Sequence, residues 1–248
     1  MYQRRVLRLD LISKEIKHIE ISDVDYMYEY HLYHLFERFT ELATESATKI
    51  GLWNHDMMKH YGWVVAKQSL HLDEPICYGD IIEITTTVSK GSFVSFPRYY
   101  FVYKNNKQIG YCSSIWTLID IEKRRMVSPQ RIGIDIPLMP EKRLLEAPQN
   151  IEMDIPMEHV KTRDVFYSDI DVNQHMNNTK YIQWVCDLLD DDVHKNNYIS
   201  DISIQYKKEI APHSEVELYM GSCKNRYLFE GRCQGIACFV IEVILNSR

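Results

Sequence analysis

The chain has 248 residues, 45% hydrophobic and 12% aromatic, which excludes a disordered tail and allows one large domain or two small ones. Lys and Arg number 29 against 35 Asp and Glu, and the resulting charge of −6 argues against general nucleic-acid binding, which needs a basic stripe to displace phosphate counterions. Glycine is scarce at 9 residues, and neither GxGxxG nor GxxxxGK[ST] occurs, so the two commonest nucleotide-cradling loops are absent.

The N-terminal stretch MYQRRVLRLDLISKEIKHIE is charged every few residues and lacks the apolar core of a signal peptide. No 18-residue apolar run follows, since even CFVIEVIL is broken by Glu242. Six cysteines (Cys77, Cys112, Cys186, Cys223, Cys233, Cys238) form no CxxC pair and read as free thiols of a reducing compartment. The expectation is a soluble cytoplasmic protein without a membrane span.

Leu35, Phe36, Phe39, Leu42, Ala43, Ala47 and Ile50 recur at three- and four-residue steps and predict a helix. Strand-like runs rich in β-branched and aromatic residues follow at 63–72, 80–88, 95–103 and 108–121. Five of the eight prolines (Pro129, Pro137, Pro140, Pro148, Pro156) then fall within 28 residues, a density incompatible with an interior helix or central strand. This predicts an N-terminal domain at 1–140, a linker at 141–157 and a C-terminal domain at 158–248.

The second half repeats the first. Ser22-Asp23-Val24-Asp25 corresponds to Ser168-Asp169-Ile170-Asp171 at an offset of 146. A helical pattern follows through Tyr181, Ile182, Trp184, Val185, Leu188 and Leu189, then strand-like runs at 198–208, 215–220, 227–233 and 236–245. Pro75 and Pro212 match at an offset of 137, so the first half carries about ten extra residues, expected within 52–63. The predicted fold is α+β: two units, each an antiparallel sheet curled around a long apolar helix, pairing their sheets edge to edge.

The densest polar cluster is Ser168-Asp169-Ile170-Asp171-Val172-Asn173-Gln174-His175-Met176-Asn177-Asn178, directly before the second helix. Asn177 or Asn178 can cap that helix, whose free first-turn amides suit a developing oxyanion. Asp171, Asn173 and His175 lie at steps of two, so an extended approach would project them to one side. Carboxylate, amide and imidazole beside a helix N-terminus suit acyl hydrolysis. An Asn- and Asp-rich capping loop reads the same way by composition. In the first copy Met27 replaces Asn173 and Glu29 replaces His175, while Asp25 is kept, a difference that points to one active and one degenerate copy. His31 and His34 stand at i, i+3, but nothing nearby completes a zinc set.

Asp169 to Trp184 reads DIDVNQHMNNTKYIQW, which resembles the D-x-D-V-N-x-H-x-N-N-x-K-Y-I-x-W signature of the plant and bacterial acyl-acyl-carrier-protein thioesterases. The resemblance covers the whole chain and implies a tandem double hotdog, with the acyl pocket largely in the N-terminal unit and the catalytic residues in the C-terminal one. It implies catalytic roles for Asp171, Asn173 and His175, and for Glu209 through the pattern Tyr206-Lys207-Lys208-Glu209. Many plant members carry a Cys after that Glu; Ile210 stands here, so the chemistry implied is attack by a carboxylate-activated water, with Asp171 or Glu209 as base and amides of Met176, Asn177 and Asn178 on the oxyanion. The partner implied is acyl carrier protein bearing a phosphopantetheine-linked acyl chain, with no cofactor or metal and with either a monomer or a homodimer. Lys123-Arg124-Arg125 and Lys207-Lys208 are candidate contacts to that acidic carrier. The rival readings are an acyl-coenzyme A thioesterase, a double-hotdog hydratase or dehydratase, and a non-catalytic acyl-binding module.

Overall fold

A computed structural model describes residues 11–134 and 140–248; the first ten residues and Pro137 lie outside the described residues. A short charged strand, β1 (Ser13–His18), precedes helix α1 (Leu32–Lys49), which buries Leu35, Phe36, Phe39, Leu42, Ala43 and Ser46 along the predicted stripe. The helix stops where Gly51 takes a φ of +78°, and Leu52 N–H closes back on Ala47 O at 2.8 Å. Four strands follow, β2 (Tyr61–Leu72), β3 (Ile81–Val88), β4 (Phe96–Lys104) and β5 (Lys107–Asp120), with the two-residue β6 (Arg125–Met126) folded back on β5. Residues 140–157 contain no helix or strand.

The second half runs β7 (Glu158–Asp164), α2 (Asn178–Cys186), α3 (Asp191–Asn196), β8 (Asn197–Tyr206), β9 (Glu215–Cys223), β10 (Arg226–Cys233) and β11 (Ile236–Ser247). All eight predicted strands are present with ends within three residues. Two expectations need correction. The second helix is not long: α2 has 9 residues against 18 in α1, because the Asp187–Asp192 stretch ends it and Asp190 starts the separate turn α3. The extra residues of the first half lie in α1 itself and not within 52–63, since the segments from helix end to next strand, 50–60 and 187–196, are nearly equal.

The strands form one antiparallel sheet in the order β1-β3-β4-β5-β2-β8-β11-β10-β9-β7. The copies meet edge to edge at β2 and β8, in register from Lys67 opposite Gln205 to His71 opposite Asp201. A single core runs across the seam: Phe39 of α1 stacks on Tyr100 at 4.5 Å, and Tyr181 of α2 meets Phe239 edge-on at 4.6 Å. On the outer face the proline-rich segment crosses the seam, with Gln205 Nε2 donating to Gln149 O at 3.3 Å and Lys67 Nζ to Asn150 Oδ1. Among the described residues no helix is long and apolar enough to cross a membrane.

The seam also holds an ion pair, His71 Nδ1 to Asp201 Oδ1 at 2.6 Å. Burial pushes the His71 imidazole down, but hydrogen bonds and charge from Asp201 and Asp73 outweigh it and the net shift is upward. A raised folded value stabilises the protein fully below the ordinary histidine range, and that contribution disappears as pH rises through the folded value. Urea unfolding of the wild type and His71→Gln is therefore expected to show a larger stability gap at about pH 5.5 than at about pH 9. Equal gaps would remove this pair from the energetics of the seam.

Candidate active site

The loop before each helix is built by the same hydrogen bonds. In the second half Asp171 N–H donates to His175 O at 2.9 Å and Gln174 N–H to Asp171 O at 3.0 Å; in the first half Asp25 N–H donates to Glu29 O at 2.9 Å and Tyr28 N–H to Asp25 O at 3.0 Å. Gln174 and Tyr28 both take a left-handed φ, +63° and +62°. The carboxylates do the same local work, since Asp171 Oδ1 accepts from Asn173 N–H at 2.8 Å and Asp25 Oδ1 from Met27 N–H at 2.8 Å and Glu29 N–H at 3.0 Å. The stretch from Asp171 to His175 is thus a tight turn and not an extended approach, which corrects the alternation argument. The Asp kept in both copies is kept with a turn-building job.

What differs between the copies is the polar load on that turn. Asn173 Nδ2 donates to Asp171 Oδ2 at 3.3 Å, and His175 Nε2 stands 3.3 Å from Glu209 Oε2. Glu209 follows the end of β8, where Lys207 and Lys208 N–H both turn to Cys238 O, so strand alternation does not govern where it points. Arg124, on the β5–β6 turn of the first half, reaches across to Glu209 Oε2 at 3.0 Å. That contact draws the two basic clusters toward each other; from sequence Arg124 is a candidate contact to the carrier and not a partner of Glu209. Position 210 is a buried Ile, so no thiol is available there.

The expected oxyanion amides separate. Met176 N–H is committed to Ile210 O at 2.9 Å and Asn177 N–H to Asp169 O at 2.7 Å. Asn177 is the cap of α2, its Oδ1 accepting from Thr179 N–H at 2.9 Å. Of the three, Asn178 alone keeps a first-turn N–H without a partner among the described residues.

A cavity of about 480 Å³ opens between the halves. Its rim comes from the second copy, through Asp171, Asn173, Asn177 and Asn178, and its walls from the first, through Ala43, Ala47, Leu52, Trp63, Phe96 and Trp116. His175 and Glu209 do not line it; they pair behind the rim. A twin cleft of about 470 Å³ lies beside the first-copy loop with Asp25, Glu29 and His31, but there the place of His175 is taken by Glu29, which pairs with Arg248. His34 Nδ1 meets Glu37 at 2.8 Å and His31 stacks on Tyr33 at 4.9 Å. No three His, Cys, Asp or Glu among the described residues come close enough to hold a metal.

Comparison with known proteins places this arrangement. Residues 12–132 match the family model of the acyl-ACP thioesterase N-terminal domain, and residues 154–234 that of the acyl-ACP thioesterase C-terminal domain. The chain belongs to the acyl-ACP thioesterase family. A chloroplastic acyl-[acyl-carrier-protein] hydrolase of Cuphea viscosissima is 25% identical over 200 residues, 74% of this chain and 48% of that protein. A chloroplastic palmitoyl-acyl carrier protein thioesterase of Arabidopsis thaliana is 25% identical over 171 residues, 64% of this chain and 41% of that protein. The chain thus spans less than half the length of these plant relatives. Among solved structures, an acyl-ACP thioesterase from Bacteroides thetaiotaomicron superposes with a TM-score of 0.85 at 23% identity over 95% of this chain and 98% of that one. The 12:0-ACP thioesterase of Umbellularia californica superposes at 0.79, with 17% identity over 96% and 98%. The fold of this family member is the tandem hotdog expected from its sequence.

Proposed function

We propose that the protein hydrolyses the thioester of fatty acyl-acyl carrier protein to a free fatty acid and the holo-carrier. The observation that carries this reading is the divided cavity: apolar walls from the first half that fit an acyl chain, and a rim of carboxylate, amides and a helix N-terminus from the second that fits its thioester. Asp171, the carboxylate on the rim, takes a proton as a water oxygen bonds to the thioester carbon. Asn173 positions that water. Asn178 N–H, at the positive end of α2, stabilises the oxyanion, and His175, held behind the rim by Glu209 and Arg124, acts through the turn that carries Asp171 and Asn173. Collapse breaks the C–S bond, and the proton passes from Asp171 to the departing sulfur, leaving the acid and the pantetheine thiol.

Carrier protein is favoured over coenzyme A because Arg124, flanked by Lys123 and Arg125, meets Glu209, which follows Lys207 and Lys208, so two basic runs come near each other at the site for an acidic partner. The test is thiol release from one acyl chain presented on carrier protein and on coenzyme A. A higher kcat/KM on the carrier supports the reading; the reverse order would make the protein an acyl-coenzyme A thioesterase, and binding without thiol release an acyl-binding module. Asp25→Asn, which keeps an acceptor oxygen for Met27 and Glu29 N–H, is expected to leave kcat unchanged. Loss of turnover in that folded variant would assign the chemistry to the first copy.

A further inference from the structure

The walls of the cavity are mainly apolar; of the polar residues there, Glu41 offers only acceptors, and the Thr40 and Thr44 hydroxyls already donate to Phe36 O and Thr40 O. Arg98, on β4, lines it and is only 5% exposed. Its guanidinium carries five N–H donors, and among the described residues it makes one hydrogen bond, Nη1 to Thr86 Oγ1 at 3.2 Å, and meets no carboxylate. The neighbouring polar groups are already engaged: Thr86 Oγ1 donates to Tyr99 O at 3.0 Å, and Ser89 Oγ pairs with the Tyr99 hydroxyl at 3.1 Å. A buried cation facing a cavity with most of its donors idle is costly unless whatever fills the cavity brings an acceptor.

Arg98 is also far from the rim. Tyr206 of β8, whose hydroxyl reaches Asn178 O at 3.4 Å and Gln68 Oε1 of β2 at 3.3 Å, ties the rim to the seam. From Gln68 of β2 the sheet runs through Ser114 of β5 to Arg98 of β4, two strand spacings or about 10 Å. A chain entering past Asn178 therefore meets Arg98 well beyond its thioester. A plain hydrocarbon there would displace water from the guanidinium and return no hydrogen bond.

We propose that Arg98 is a specificity residue for acyl chains that carry an oxygen acceptor, a hydroxyl, oxo or terminal carboxylate group, remote from the thioester. The inference rests on the hydrolase reading for the nature of the substrate. Between Phe96 and Trp116 the guanidinium is the cationic group of the walls among the described residues, and its idle N–H donors are what an acceptor meets there.

The test pairs acyl carrier proteins loaded with chains of equal length, one saturated and one hydroxylated toward the methyl end, and reads thiol release by wild type, Arg98→Lys and Arg98→Met. Wild type is expected to favour the oxygenated chain by at least about tenfold in kcat/KM, because a site built for a hydrogen bond rejects the analogue lacking it. Arg98→Lys should keep part of that preference, and Arg98→Met should reverse it. Equal kcat/KM on both chains in wild type, or an undiminished preference in Arg98→Met, overturns the proposal. Calorimetric binding of the two free acids to wild type reads the same preference without turnover and without a variant that must fold. Tighter binding of the hydroxy acid with no thiol release would sustain Arg98 and end the hydrolase reading; thiol release with equal binding would do the opposite.

Discussion

Asp171→Asn is expected to lower kcat on acyl carrier protein by at least about 10², the scale on which a general acid-base group acts. The substitution is chosen for what it preserves. Asparagine retains an oxygen for Asn173 N–H, the bond that builds the turn, and the corresponding turn in the first copy is built from backbone donors alone. The loss therefore belongs to the charge and not to a collapsed loop, and an unchanged melting temperature is part of the expected result. Binding of the free acid, whose chain lies against first-half walls, should be little affected. Near-full turnover in folded Asp171→Asn would move the base to Glu209, the other carboxylate at the site.

His175→Ala and Glu209→Gln are each expected to cost about 10² in kcat, and the double variant little more than either alone. The two side chains stand 3.3 Å apart, His175 half-buried and Glu209 exposed, and neither lines the cavity, so they act through one another. Groups that work as a unit lose their effect together, and a cycle of the four proteins reads this as a large coupling. Multiplicative losses would mean two separate roles, with Glu209 reaching the substrate on its own. Arg124 belongs to the same chain of contacts, yet both it and Glu209 are largely in water, so its contribution should be smaller and weakened by salt.

The sheet was legible from sequence wherever one face is buried. In β3 the pattern of Ile82, Ile84, Thr86 and Val88 alternates cleanly with exposed or half-buried neighbours, and the repeat in β8 through Ile202 and Ile204 does the same. Besides the two-residue β6, the strands that escape a pattern search are β1 and β7, SKEIKH and EHVKTRD, which lie at the two ends of the sheet. Charged edge strands protect against association, and that same charge hides them from a pattern search. The length of α2 was misread because Leu188 and Leu189 continue the apolar period after the helix has ended at Cys186.

At the site, side-chain chemistry was readable and backbone accounting was not. Met176 and Asn177 stand at a helix start in the sequence, but their N–H groups answer to Ile210 and Asp169, partners that only the folded chain supplies. Glu209 is reached through a motif; counted on from Ile202, Ile204 and Tyr206, alternation puts it on the opposite face, but the strand ends at Tyr206 and the rule no longer applies. Arg98 shares its strand face with Phe96, Tyr100 and Val102, so alternation places a cation among core residues, but nothing local says that a cavity lies there.

Two turns with the same bonds, one loaded with Asn173 and His175 and the other with Met27 and Glu29, have a consequence for inheritance. In a pair of identical subunits every substitution appears twice, so a wall residue and a reagent residue cannot drift apart. Within one chain each half mutates alone. On the proposed hydrolase reading, choice of chain, written in α1 and β4, and speed of cleavage, written between Asp171 and Glu209, become separately adjustable traits of one chain.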